Sequence, residues 1–180
     1  MSIDRTKYMS LAEVRQLCES ASKKGGLTWM VVDMALMTGL RVGELAAIQK
    51  EHIDFDRKFL TITRLKKSQP KPENMALGNN ILNHLRKYVN GRAGALFVGQ
   101  RGALTAQGLQ RIWKKAVKDA GIKPYSIHKA RHTFATHHHA KHKNLRALQL
   151  LLGHAKVETT AKFYADVTFE DLQNSLNNLY

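Results

Sequence analysis

The sequence has a single cysteine, only three prolines, and fewer than half as many acidic as basic residues. With Cys18 alone, no intramolecular disulfide can form, and a reducing compartment suits the chain. No stretch of about eighteen apolar residues exists to cross a membrane as a helix. Met1-Ser2-Ile3-Asp4-Arg5 is not followed by the apolar core of a secretory signal. Internal repeats, low-complexity tracts and linkers are absent too, so the 180 residues read as one domain with a tail. The shortage of acids leaves 29 Lys and Arg against 14 Asp and Glu, a net charge of +15 spread along the whole chain. Such a field favours polyanions, a nucleic acid first and an anionic membrane surface second.

Helical periodicity fills most of the chain. Ser10-Leu11-Ala12-Glu13 is a capping box opening a helix to about Ser22, with Leu11, Val14, Leu17 and Cys18 on one face. Residues Thr28 to Thr38 are apolar nearly all round, as in a central buried helix. Gly39 stops it, and another helix begins near Arg41 and carries Glu44, Leu45 and Ile48. Arg41 is expected at that helix start, packed against the core, with a surface pair to Glu44 as the plainer alternative. A helix from Asn79 or Asn80 to Val89 follows the next segment, and Leu96-Phe97-Val98-Gly99 reads as an extended connector. Thr105 caps a helix with Leu109, Ile112, Trp113, Ala116 and Val117 inward and Arg111, Lys114, Lys115 and Lys118 on a basic side.

Between Ile53 and Leu77 the period changes to two, which predicts a small three-stranded antiparallel sheet from Ile53-Asp54-Phe55, Phe59 to Thr63 and Asn74 to Leu77. Lys66 and Lys67 lie where the second strand runs into a turn. The fold class is therefore mainly α with a small three-stranded antiparallel β-sheet, an α+β arrangement.

The densest chemistry lies from Ser126 to Tyr164. Ser126 can cap a helix whose first turns place His128 and Arg131 on one face, an imidazole beside a guanidinium suited to one oxyanion. His137, His138, His139 and His142 follow. The four-residue spacing of His138 and His142 raises a metal reading, but no H-E-x-x-H, cysteine cluster or nearby carboxylate completes a ligand set. A polar helix surface near nucleic acid accounts for them better, and no metal or other cofactor is expected. Asn144 caps a helix through Leu152, Gly153 ends it, and a short amphipathic segment after His154 closes with Phe163-Tyr164. A last helix from Thr168 carries Leu172, Leu176 and Leu179.

His128-x-x-Arg131, Leu152-Gly153-His154 and Tyr164, preceded by Thr38-Gly39-Leu40-Arg41-Val42-Gly43-Glu44-Leu45, resemble the boxes of the tyrosine recombinase (lambda-integrase) family in order and spacing. The resemblance spans most of the chain and implies the catalytic-domain fold of that family over 1–180. Residues 166–180 form a tail helix that docks in cis or, as is common in the family, on a neighbouring protomer. Against the family's pattern the amino-terminal domain that clamps DNA from the other side is expected to be absent, the sequence being either a fragment or a naturally minimal relative, so DNA binding by this chain alone is expected to be weak.

The resemblance further implies cleavage and rejoining of double-stranded DNA through a 3′-phosphotyrosyl intermediate, without metal or ATP, in a homotetramer assembled on DNA from monomers, in the cytoplasm with the nucleoid. Tyr164 is the expected nucleophile. Arg41 and Arg131 would clamp the phosphate with planar forks, His154 would donate to the same oxygens, and His128 would accept the phenol proton. The family's general acid is a lysine on the sheet hairpin, and here that turn is longer than usual. Alignment from the strand before it selects Lys66, the preferred choice, and alignment from the strand after it moves toward Lys67. Lys67, Arg111, Lys114, Lys115 and Lys118 are expected to touch DNA. The competing phenols Tyr8, Tyr88, Tyr125 and Tyr180 lack a Leu-Gly-His box at the proper distance. Rival readings are a non-catalytic basic DNA-binding protein on this scaffold, a type IB topoisomerase-like relaxation activity, and a metal-dependent nuclease using the histidines.

Overall fold

The computed structural model describes residues 8–64, 72–91, 93–153, 169–177 and 179. The capping box forms as read: Ser10 Oγ accepts from the Glu13 amide at 3.2 Å, and the Glu13 carboxylate accepts from the Ser10 amide at 2.8 Å. Helix α1 (Leu11–Lys24) runs to Lys24 because the break falls only at Gly25, whose φ of 67° lies in the left-handed region. Helix α2 (Gly26–Thr38) then starts two residues before the apolar stretch and ends at a left-handed Gly39. It is the hub of the molecule, buried over nearly its whole length among α1 and the later helices α4 (Asn79–Val89), α5 (Ala106–Asp119) and α6 (Ile127–His142). An all-round apolar helix has no face to give to water, so it becomes the axis on which amphipathic helices close.

Between these helices, α3 (Val42–Ala46) is a short turn with Arg41 at its N-cap, and it ends before Ile48. Strands β1 (Ile53–Asp54), β2 (Phe59–Thr63) and β3 (Pro72–Ala76) form the expected antiparallel sheet in the order β1-β2-β3, with Leu60 opposite Met75 and Thr61 opposite Asn74. Strand β3 begins at Pro72, earlier than the alternation suggested; an end-of-strand proline opposite Thr63 lies where a missing donor costs little. Val98–Gly99 (β4) pairs with Gly102–Ala103 (β5) as a two-stranded ribbon, so the expected connector is half of a hairpin.

A second, smaller apolar cluster lies beside the hub. Phe134 of α6, Leu148, Leu151 and Leu152 of α7 (Leu145–Leu152), Ala76 of β3, and Leu176 of α8 (Phe169–Leu176) with Leu179 make it up. Asn144 caps α7 through the Ala147 amide at 2.9 Å, as its position suggested. Ser126 is the N-cap residue of α6, but its hydroxyl makes no capping bond. At α8 the Asn79 amide donates to Asn177 at 2.8 Å, and Gln173 donates to the carbonyls of Arg57 and Lys58, each at 3.2 Å. Among the described residues no helix is long and apolar enough to cross a membrane.

The histidine run corrects one expectation. His138 is fully buried rather than part of a polar surface, with Nε2 3.0 Å from Ser175 Oγ of α8, and His137 Nε2 lies 2.8 Å from the Met9 carbonyl. A helix packed on α2, α7 and α8 has little free circumference, so two of the four imidazoles turn toward partners distant in the chain. His139 alone of the four is exposed.

Candidate active site

Gly39, Arg41 and Glu44 form one wall of the site. Gly39 has φ 60°, and a Cβ there would stand 2.6 Å from Phe134 Cδ1 and 3.1 Å from Leu152 Cδ2. The missing side chain therefore lets the end of α2 close on both α6 and α7, and a β-carbon would pry them apart. Directly after it, Arg41 closes a reciprocal pair with Glu44: the Arg41 amide donates to Oε2 at 2.8 Å, and Nη1 meets Oε1 at 3.0 Å. The surface-pair alternative is thus half right. The pair exists, but Glu44 is only 2% exposed, and the pairing fixes Arg41 at the edge of the core.

Arg131 forms the second wall. From α6 its Nη1 donates to the Gly39 carbonyl and its Nη2 to the Leu152 carbonyl, both at 2.9 Å. One guanidinium therefore joins the end of α2 to the last turn of α7. Burial lowers its pKa to about 10, with the neighbouring charges of Arg41 and Arg64 adding to the effect and Glu44 opposing it. At neutral pH Arg131 keeps its proton and still lacks a full complement of negative charge. An anion brought to this place would relieve a repulsion already present.

Arg64 belongs to none of the sequence motifs. It follows β2, is 3% exposed, and donates Nη2 to the Leu151 carbonyl at 2.8 Å. Its signal was there: in Leu60, Ile62 and Arg64 the inward phase of the strand's alternation lands on a cation. Gly153, with φ 62°, makes room for it, since a Cβ there would lie 2.5 Å from Arg64 Nε.

The described structure thus brings Arg41, paired with Glu44, near enough to Arg131 for its charge to lower the Arg131 pKa. His128, one turn earlier on α6, is exposed and lines a cleft of about 760 Å³ whose walls include Trp113, Lys114, Lys118, Tyr125 and Ile127. Arg111, Lys114, Lys115 and Lys118 all stand exposed on α5. Two of them face the cleft, whereas Lys115 is 3.4 Å from Asp119, itself held at 2.7 Å by Lys24 of α1. Lys66, Lys67, His154 and Tyr164 lie outside the described residues.

Two described phenols are poor nucleophile candidates. Burial raises the pKa of Tyr88; burial and the Glu13 carboxylate, which accepts from the Tyr125 hydroxyl at 3.2 Å, raise that of Tyr125. The Cys18 thiol is pushed up to about 12 by burial and by Asp33, which keeps it protonated at neutral pH. Among the described residues, no group of three or more His, Cys, Asp or Glu side chains could hold a metal ion.

The sequence pattern of the phage integrase family matches residues 7–171, a span that contains every residue of this site. The chain belongs to that family. Tyrosine recombinase XerA of Pyrococcus furiosus is 34% identical over 176 residues, covering 94% of this chain and 60% of XerA. The crystal structure of XerA recombinase superposes with a TM-score of 0.73 at 27% identity, covering 93% of this chain and 63% of that one. A lambda integrase tetramer bound to a Holliday junction shares the fold, with a TM-score of 0.67 at 19% identity over 83% of this chain and 47% of that one. The chain spans about half to three-fifths of the length of the curated relatives it matches. A mainly helical domain with a small three-stranded antiparallel sheet is the architecture of tyrosine recombinase catalytic domains, and the expected fold class holds.

Proposed function

We propose that this chain is the catalytic domain of a site-specific DNA recombinase that cuts and rejoins DNA by transesterification. The observation that carries this reading is the nearness of Arg131, held on the Gly39 and Leu152 carbonyls, to Arg41, held by Glu44, with more positive than negative charge in a half-buried place. Two planar forks at fixed spacing suit the two non-bridging oxygens of a phosphodiester, where charge gathers as phosphorus is attacked.

The Tyr164 oxygen attacks phosphorus and the bond to the 5′ oxygen breaks, which leaves a 3′-phosphotyrosyl ester and a free 5′-hydroxyl. His128 takes the phenol proton, His154 donates to the phosphoryl oxygens, and Lys66, or Lys67 in the alternative alignment, delivers a proton to the departing oxygen. Attack by the 5′-hydroxyl of a second duplex reverses the step, so the phosphodiester is conserved without ATP. Neither metal nor cofactor enters this scheme. Double-stranded DNA is the substrate, gripped by Lys67, Arg111, Lys114, Lys115 and Lys118, and exchange takes place in a homotetramer on DNA, assembled from monomers in the cytoplasm. The net charge of +15 supports a nucleic-acid substrate.

Covalent trapping tests the reading. The chain is incubated with a nicked duplex selected from a randomised pool, with and without EDTA, and quenched in detergent. A protein–DNA adduct that persists in EDTA and is lost in Tyr164→Phe is expected. Equal trapping by the two proteins removes Tyr164 as nucleophile, and the lack of any adduct leaves a DNA-binding scaffold without this chemistry.

A further inference from the structure

Arg64 is a charge where the fold gains little from one. Burial pulls its pKa down, Arg41 adds to that effect, and Glu44 opposes it. Buried ion pairs of this kind are commonly replaceable by apolar residues with no loss of stability, so stability alone explains the residue poorly. Its contacts indicate what it does instead. Nη1 lies 3.6 Å from Glu44 Oε2, on the carboxylate that fixes Arg41, and Nε lies 3.5 Å from Glu73 Oε2. Nη2 holds the Leu151 carbonyl, immediately before the Leu152 carbonyl that holds Arg131. Successive carbonyls at the end of α7 are thus taken by two guanidiniums, one buried and one at the site.

We propose that Arg64 is a positioning residue which sets the spacing of Arg41 and Arg131, facing the Glu44 carboxylate at ion-pair distance on one side and donating to the Leu151 carbonyl on the other. At 3% exposure it does not touch DNA. It acts through the groups that hold the two arginines, and the bare Gly153 backbone leaves it room to do so. A planar fork reaches both partners from one centre, whereas an ammonium group makes one contact and releases the other. This role rests on the recombinase reading given above.

The test compares wild type, Arg64→Met and Arg64→Lys in two measurements. The first is single-turnover adduct formation on the nicked duplex, normalised to the adduct end point so that only competent molecules are counted. Both variants are expected to bind DNA as wild type does while the rate at saturating DNA falls about 10- to 100-fold, the scale of a misplaced reacting group. In a Glu44→Gln background the same Arg64 substitutions should have much less effect, because the route through Glu44 is already cut. The second is the NMR exchange rate of the Arg41 and Arg131 Nε–H protons in the free protein, expected to rise in both variants.

A residue that only supports the fold would lower the melting temperature and the adduct end point but leave the normalised rate and the two N–H signals unchanged; that result overturns the proposal. So does full rescue by Arg64→Lys, which remains decisive if Arg64→Met fails to fold. If wild type itself forms no adduct, the recombinase reading fails, and the N–H exchange rates alone decide whether Arg64 positions the two arginines.

Discussion

Arg131 has less freedom than its exposure suggests, because two of its donors are committed to backbone carbonyls from two different helices. Lysine cannot reproduce both bonds, so Arg131→Lys should lower adduct formation on the nicked duplex by about 100-fold, with normal folding by circular dichroism. Gly153 fails in another way. An added Cβ would meet the Arg64 guanidinium at 2.5 Å in a left-handed backbone conformation, so Gly153→Ala should cost about 2 kcal/mol or more in urea unfolding. Single residues of this kind were only partly legible. A glycine after three leucines signals a helix end, but nothing local says that a buried guanidinium from the sheet lies against it.

Two histidines join pairs of elements, and their pH dependences have opposite signs. His138 of α6 meets Ser175 of α8, and burial, with His142 and His139 nearby, lowers its pKa from 6.5 to about 4. Its neutral form is the one that fits. The associated stability is fully present above pH 6.5 and is lost as the pH falls toward 4, by on the order of 3 kcal/mol at most. Packing of α8 should therefore loosen over that acid range, seen as faster amide exchange around Leu176, and His138→Phe should remove the dependence. His84 of α4 behaves oppositely. The carboxylate of Asp33 on α2, 2.6 Å away, raises its pKa above 6.5 against the cost of burial. The α2–α4 pair thus gives its full stability below pH 6.5 and loses it as the pH climbs through the raised value, so thermal melts of His84→Gln should show a flatter decline on the alkaline side.

At the scale of the whole molecule, charge divides into a site and a field. Around Glu44 the cations are fixed by geometry, while on α5 they stand in solvent. Lys114 and Lys118 line the cleft that His128 also lines, and Lys115 leans on Asp119. If the cleft side of α5 runs along DNA phosphates, Lys114→Ala should reduce the slope of log affinity against log salt by about one, and Lys115→Ala by less. Filter binding across a salt series separates the two, and equal slopes would mean that the partition of the basic face is immaterial.

The order of helices, the small sheet and the family boxes were all legible in the chain, because periodicity, caps and glycine stops act over a few residues and leave a local mark. Burial around the site was not. Glu44 could be paired with Arg41 from a three-residue spacing, but its meeting with Arg64, the seating of Arg131 on the carbonyls of Gly39 and Leu152, and the turning of His138 toward Ser175 all join residues far apart in sequence. The sequence determined which side chains the protein carries toward the proposed phosphate chemistry. Only tertiary packing decided which of its cations would be held by buried backbone and carboxylate partners and which left to solvent, since desolvation depends on neighbours that no local pattern names.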